Sequence, residues 1–176
     1  MRKVVWYAAW CGGVLLAAFA AVAVADPADP AALARLAGQE ALLRTALAST
    51  AAVVEHADGG VVLHFPVRLA FGSDRAELLP AGTAFLDAVA RSLREYKRSR
   101  IVVAVYTDVI GSSEFNQQQS QARAGVVVAY LQIKGVSPER LVARGVGEGA
   151  QLPAANTPEG RDLNRRLELT ITPLSS

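Results

Sequence analysis

Cysteine is nearly absent from this chain, with one residue, Cys11, among 176. A single thiol permits no disulfide within one chain and no thiolate metal cluster. Cys11 follows bulky Trp10, and apolar sequence runs on well beyond it, so it reads as part of the leading segment and not as a lipid-attachment site. Histidine is almost as scarce. His56 and His64 lie far in sequence from any other candidate ligand, and zinc needs three or four, so no metal site is expected. Excess charge is missing too. Without Arg2 and Lys3 the 18 basic residues fall to 16 and equal the 16 acidic ones. A nucleic-acid binder would carry a basic excess, so the balance gives that class no support. There is no G-x-S-x-G nucleophile turn, and with isolated histidines and no later cysteine a hydrolase is not expected. Gly145-x-Gly147-x-Gly149 looks like a phosphate loop, but no helix pattern follows and Pro153 comes soon after. Phosphate cradling, and with it any cofactor, is not implied.

Long hydrophobic runs are confined to the start. Met1-Arg2-Lys3 precedes an uncharged stretch from Val4 to Ala25, and Ala23-Val24-Ala25 before Asp26 has the A-x-A form of a cleavage site. Residues 1–25 therefore read as a signal peptide cleaved before Asp26, with an uncleaved membrane anchor as the alternative. Both place the remainder outside the cytoplasm.

Residues 26–58 form an Ala- and Leu-rich region, with Leu33, Leu36, Leu43 and Leu47 on a helical stripe. It reads as a helical linker. The sharper alternative is a helix that packs on the domain, or that pairs two chains or meets an envelope protein through residues 31–54. Asp58-Gly59-Gly60 separates two β-rich runs, a hairpin signal. Val67, Leu69 and Phe71 alternate after Pro66 as a further strand would, and Gly72-Ser73-Asp74 reads as a turn. Pro80 opens a helix with Phe85, Leu86, Val89 and Leu93 on its apolar face. Ile101–Tyr106 reads as a buried strand, Leu141–Val146 as the next, and Leu167, Leu169 and Ile171 as one face of a closing strand. Helices alternating with strands in this way predict an α/β two-layer sandwich with a mixed sheet across residues 59–173.

The centre of the chain carries the chemistry. Asp108 falls at the end of the Ile101–Tyr106 strand, and Ser112 and Ser113 offer cap oxygens for a helix running on to Lys134. On that helix Asn116, Ser120, Arg123 and Val127 share one face. A carboxylate at the strand end with a guanidinium on the next helix makes a two-signed pocket suited to a zwitterion. The same two charges would equally serve as a local structural ion pair.

F-G-S-D-R-A-E-L at Phe71–Leu78, T-D-V-I-G at Thr107–Gly111, N-Q-Q-Q-S-Q-A-R-A at Asn116–Ala124, R-G-V-G-E at Arg144–Glu148 and N-R-R at Asn164–Arg166 together resemble the OmpA-like peptidoglycan-binding domain. This is the domain shared by OmpA, the peptidoglycan-associated lipoprotein and MotB. The resemblance covers about residues 61–172 and implies a mixed sheet with two main helices on one face. It also implies a non-catalytic role: Asp108 and Arg123 grip the diaminopimelate of the peptidoglycan stem peptide, Asn116 orients it, and Thr107, Arg161, Asn164 and Arg165 line or brace the pocket. Peptidoglycan is then the partner, in the periplasm near the outer membrane or wall, or from an inner-membrane anchor. An envelope scaffold using the same fold is the alternative. Val105-Tyr106 and Gln119 depart from the family pattern, and each is expected to alter the pocket wall.

Overall fold

Val, Ile and Leu at alternating positions build the sheet, and the helices between them close over one of its faces. The protein is described from a computed structural model, which covers residues 30–57, 59–72, 75–153 and 155–174. The leading segment with its expected cleavage before Asp26 lies outside the described residues, as do Asp58, Ser73 and Asp74 of the two expected turns. The elements run α1 (Pro30–Leu47), β1 (Val53–Ala57), β2 (Gly60–Pro66), α2 (Val67–Ala70), α3 (Pro80–Glu95), β3 (Ser99–Tyr106), α4 (Ser113–Ile133), a 3-10 turn (Pro138–Arg140), β4 (Leu141–Gly147), α5 (Pro158–Asn164) and β5 (Arg166–Pro173).

The five strands form a mixed sheet in the order β1-β2-β5-β3-β4. The β3–β4 pair is parallel and joined across by α4, and the other pairs are antiparallel. The closing strand β5 thus sits at the centre. Its register lines up Phe65, Leu167 and Val105 in one row, Leu63, Leu169 and Val103 in the next, then Val61, Ile171 and Ile101. All of these are buried and join Phe85, Leu86, Val89 and Leu93 of α3 and Ala124, Val127 and Leu131 of α4 in one core. The Phe65 and Phe85 rings stack with centroids 4.4 Å apart. This is the two-layer α/β arrangement the alternation predicts.

Two local expectations are corrected. Val67–Ala70 is a single helical turn and not a resumed strand. Pro66 supplies no N–H to continue the ladder, and Phe71 N donates instead to Val67 O at 2.8 Å. The region expected as a helical linker carries α1 and β1, and both are built onto the domain. Leu36, Leu43 and Leu47 lie in the common core, while Leu33 is on the exposed side of α1. The buried stripe is Ala32, Leu36, Gln39, Leu43 and Leu47. Among the described residues, no helix is long and apolar enough to cross a membrane.

Candidate functional site

The site is assembled where β3 ends. The β3–β4 register shifts between Val105 and Tyr106, so the strand kinks as it leaves the sheet. Thr107 N still donates to Gly147 O at 2.9 Å, and Gln151 Nε2 donates to Thr107 O at 3.0 Å. The Thr107 hydroxyl is buried without a hydrogen-bond partner. Asp108 follows, also buried. Its Oδ1 accepts from Ile110 N at 3.1 Å, which folds the loop back on the carboxylate. Gly111 then turns the chain at φ +102, a conformation costly for residues with a Cβ. Ser112 caps α4 by accepting from Phe115 N at 3.2 Å.

The helix face read from the sequence is present: Asn116, Ser120, Arg123 and Val127 are all buried. Asn116 Nδ2 donates to Ile110 O at 3.2 Å, to Asp108 O at 3.4 Å and to Glu148 Oε2 at 2.9 Å. One amide therefore ties the loop, α4 and the end of β4 together. Ser120 Oγ accepts from Gly147 N at 3.0 Å and donates to Gln117 O at 2.9 Å. Arg123 lies over the Phe71 ring at 5.6 Å, donating from Nη1 to Gln119 Oε1 at 2.9 Å and from Nη2 to Gly72 O at 3.2 Å.

Asp108 and Arg123 do not form an ion pair with each other. The partner of Asp108 is Arg165, whose Nη1 lies 2.5 Å from Oδ2. Arg165 is more than a third exposed and also contacts Asp162. The site thus holds a buried carboxylate with the partly exposed Arg165 guanidinium on it, and a buried guanidinium that donates to the Gln119 amide and Gly72 O. Such a pair of sites can take a ligand ammonium at one end and a ligand carboxylate at the other.

The remaining residues singled out in the sequence are placed apart from that pair. Asn164 is fully buried, its Oδ1 accepting from Leu152 N at 2.7 Å and its Nδ2 donating to Gly160 O at 2.8 Å. It fastens Leu152 to α5. Arg161 Nη1 donates to Asn156 O at 3.0 Å. Tyr106 does not touch the pocket wall: Arg166 stacks on its ring at 3.7 Å on the sheet face away from the helices. Strand alternation decides this, since Val105 faces the core. Gln119 does bear on the site, through Arg123. Sequence reasoning missed Glu148, Phe71 and Gln151 as site neighbours. The first two stand in the R-G-V-G-E and F-G-S-D-R-A-E-L motifs, while Gln151 carries no local signal.

The glycine series near 145 has a packing explanation. A Cβ at Gly145 would lie 2.3 Å from Gln121 N, on the backbone of α4. This close approach lets Gln121 Oε1 accept from Gly145 N at 2.7 Å and Gln117 Nε2 donate to Gly145 O at 2.9 Å. The glycine clears space for a helix and not for a phosphate.

A buried carboxylate at a strand end and a buried guanidinium on the following helix thus stand on a mixed sheet of order β1-β2-β5-β3-β4. The OmpA family profile matches residues 70–165, and the chain belongs to the OmpA family. It is similar to the probable lipoprotein YiaD of Escherichia coli (strain K12), 36% identical over 136 residues, which are 77% of this chain and 62% of that protein. It is also similar to the peptidoglycan-binding protein ArfA of Mycobacterium tuberculosis, 37% identical over 58% of this chain and 32% of that protein. The chain thus spans less than two thirds of the length of either curated relative. Among solved structures it resembles the cell wall anchor of the T6SS from Pseudomonas aeruginosa, with TM-score 0.67 and 27% identity over 74% of this chain and 96% of that one.

Proposed function

We propose that this chain is a non-catalytic peptidoglycan-binding module of the bacterial cell envelope, working in the periplasm near the outer membrane or wall. In this reading Asp108 and Arg123 grip the zwitterionic end of diaminopimelate in the stem peptide. The observation that carries it is the separation of two buried opposite charges that do not neutralise each other. If the two residues were simply each other's structural ion pair they would be in direct contact, whereas Asp108 is met by Arg165. Support for the ligand class comes from the relatives, one named as peptidoglycan-binding and one as a cell wall anchor.

The roles divide accordingly. Asp108 accepts from the ligand ammonium, displacing Arg165 as its counter-ion. Arg123 donates to the ligand carboxylate, with Gln119 and Gly72 O aiming its guanidinium. Thr107 lies beside Asp108 at the pocket floor. Asn116 and Asn164 hold loops in place, and Arg161 does the same from the rim. Charge-assisted hydrogen bonds contribute about 1.5–3 kcal/mol each. Two such clamps give modest monovalent affinity, which suits attachment to a polymer through many copies.

The test is co-sedimentation with purified sacculi beside thermal melts. Asp108→Ala and Arg123→Ala should each abolish sedimentation while the fold persists, and exchanging the two residues should not restore it. Variants that fold and still sediment would sink the assignment. Recovery by the exchanged pair, with binding tracking melting temperature alone, would make the two residues structural.

A further inference from the structure

The two ends of the sheet differ in charge. Asp108 and Asn116 stand where β3 ends and α4 begins, and the opposite end gathers the last turns of α3 and α4 with the start of β3. The 21 residues of α4 set these ends about 30 Å apart. At the far end, residues 91–100 hold five basic side chains against Glu95, and residues 134–140 add Lys134 and Arg140 against Glu139. Taking these seven from 18 and two from 16 leaves 11 basic and 14 acidic residues elsewhere in the chain. The positive excess is therefore gathered at this end. A cleft of about 600 Å³ opens there, lined by Arg94, Lys97, Gly135, Ser137, Arg140 and one acid, Glu139. Arg140 is its buried cation, donating to Leu93 O, Tyr96 O, Ser99 O and Ser99 Oγ at 2.8–2.9 Å. All four acceptors are neutral, so the charge is fixed in place without being cancelled. Arg94 likewise donates to a carbonyl, Lys134 O at 2.7 Å, while Lys134 itself is met by Asp87. Ile133 ends α4 two residues before Gly135 of the cleft and is 81% exposed, the most of any large apolar residue described. The chain also enters from this side. A Cβ on Gly38 would lie 2.7 Å from the Tyr96 hydroxyl at the end of α3, and α1 leads from there to β1, whose Val53 pairs with His64 near the site end. Pro30 thus lies toward the basic end, with the uncharged Val4–Ala25 stretch ahead of it in sequence.

We propose that this end of the domain docks on an anionic phospholipid surface, with a headgroup phosphate in the cleft of Arg94, Lys97 and Arg140 and with Ile133 set into the lipid. Phosphate oxygens supply the negative charge that the cleft lacks. Ile133 decides among anions. A free phosphate or an acidic glycan leaves an isoleucine in water, whereas a lipid surface removes it. The side from which the chain enters agrees, since it turns the basic end, and not the Asp108 site, toward whatever holds the leading segment. The inference does not depend on the peptidoglycan reading. Together the two would place a wall contact and a membrane contact at opposite ends of one helix. Each Lys or Arg near an anionic surface strengthens attachment about fivefold. The attraction fades as salt shortens the Debye length.

The experiment is co-sedimentation of the chain from Asp26, which keeps every described element, with vesicles of equimolar phosphatidylglycerol and phosphatidylcholine. Vesicles of phosphatidylcholine alone are the comparison. Sedimentation should require phosphatidylglycerol and weaken as salt is raised. Arg94→Gln combined with Lys97→Gln should weaken it roughly twentyfold. Ile133→Ser should weaken it about fourfold or more. Sacculus binding of these variants should match wild type, while Asp108→Ala should keep the vesicles and lose the sacculi, so the two readings fail separately. Lys97 is exposed, and Lys97→Gln alone should weaken binding about fivefold with an unchanged melting temperature. That variant carries the test if losing the Arg94 bond lowers stability. No sedimentation with phosphatidylglycerol overturns the proposal, as does sedimentation that survives Lys97→Gln and the double variant. Calorimetry with soluble glycerophosphoglycerol, the headgroup without its chains, should show far weaker binding than the vesicles give. Equal affinity for the soluble headgroup, with Ile133→Ser behaving as wild type, would make the cleft a site for free phosphate esters and overturn the membrane as its occupant.

Discussion

Glu168 shows how much a single side chain on the uncovered sheet face can do. Burial alone would push its carboxyl upward, but the hydrogen bond from His64 and the Arg166 guanidinium outweigh that and bring it from 4.5 down to about 2. Arg166 Nε lies 2.7 Å from Glu168 Oε1, and His64 is bracketed by Glu168 and by Glu55 of β1. A carboxyl whose folded pKa lies below its unfolded one stabilises the fold above the unfolded value, and the contribution is lost as pH falls through the folded one. The window here runs from 4.5 down to about 2. The difference in melting temperature between wild type and Glu168→Gln should be largest at neutral pH and shrink across that window. A difference that does not change with pH would remove Glu168 from the acid response. Tyr106 sets the opposite limit, since burial and the nearby Glu168 charge raise its hydroxyl to about 12. An acid with a raised folded pKa stabilises below its unfolded value, so this contribution fades between pH 10 and about 12. None of this cluster was legible in the sequence. His64, Tyr106, Arg166 and Glu168 come from three strands, and only the register that places β5 between β2 and β3 brings them together.

At the scale of elements, the contact between α4 and β4 is tightest at one glycine. Gly145 is where the strand meets the helix backbone, while Gly125, within the same helix, has nothing within 4 Å of a built Cβ. The same substitution should therefore have opposite signs at the two positions. Gly125→Ala removes a helix-interior glycine and should stabilise by about 0.5–1 kcal/mol. Gly145→Ala drives a methyl into backbone and should destabilise by at least about 2 kcal/mol through strain and the loss of the Gln117 and Gln121 bonds. Chemical denaturation of the two variants checks this, and equal effects would mean that α4 can shift without cost. Val127→Asp should be worse still, at about 3–5 kcal/mol, because Val127 is fully buried among aliphatic side chains. Ser120→Ala should cost less than either, at about 1–2 kcal/mol, since it leaves the buried Gly147 N–H without its acceptor. The helix face itself was readable, because four polar and apolar residues at helical spacing next to a capped start leave little freedom of phase. The surface this face meets was not. The sequence pattern of α4 is the same whether Ser120 meets solvent, ligand or the backbone of β4.

For the whole molecule the deciding matter is where the domain begins. Read along the sequence, α1 resembles a tether, because Gly38 and Glu40 interrupt its apolar stripe. In three dimensions both interruptions are accommodated. Gly38 faces the Tyr96 hydroxyl, so α1 can lie close to the end of α3, and Glu40 is bonded to His56 of β1 and to Arg44. Leu36, Leu43 and Leu47 join the common core where α1 packs against α3, β1 and β2. The apolar stripe that could have paired two chains is thereby used within one. Each fully buried leucine contributes about 1.5–3 kcal/mol, so removing α1 should cost several kcal/mol, a large fraction of the stability of a domain this size. A chain starting at residue 49 should melt far below one starting at residue 26, and should expose apolar surface that binds a hydrophobic dye. The cost should be recovered in part when α1 is supplied as a separate peptide, because its partners are side chains and not a covalent constraint. Sacculus binding of the shortened chain should fall with its folded fraction and no further, since Asp108 and Arg123 are set by β3 and α4. If the two chains melt alike, α1 is a tether that merely rests on the domain. If instead the shortened chain stays folded and loses wall binding, α1 has a part in the site that its position over β1 and α3 does not suggest.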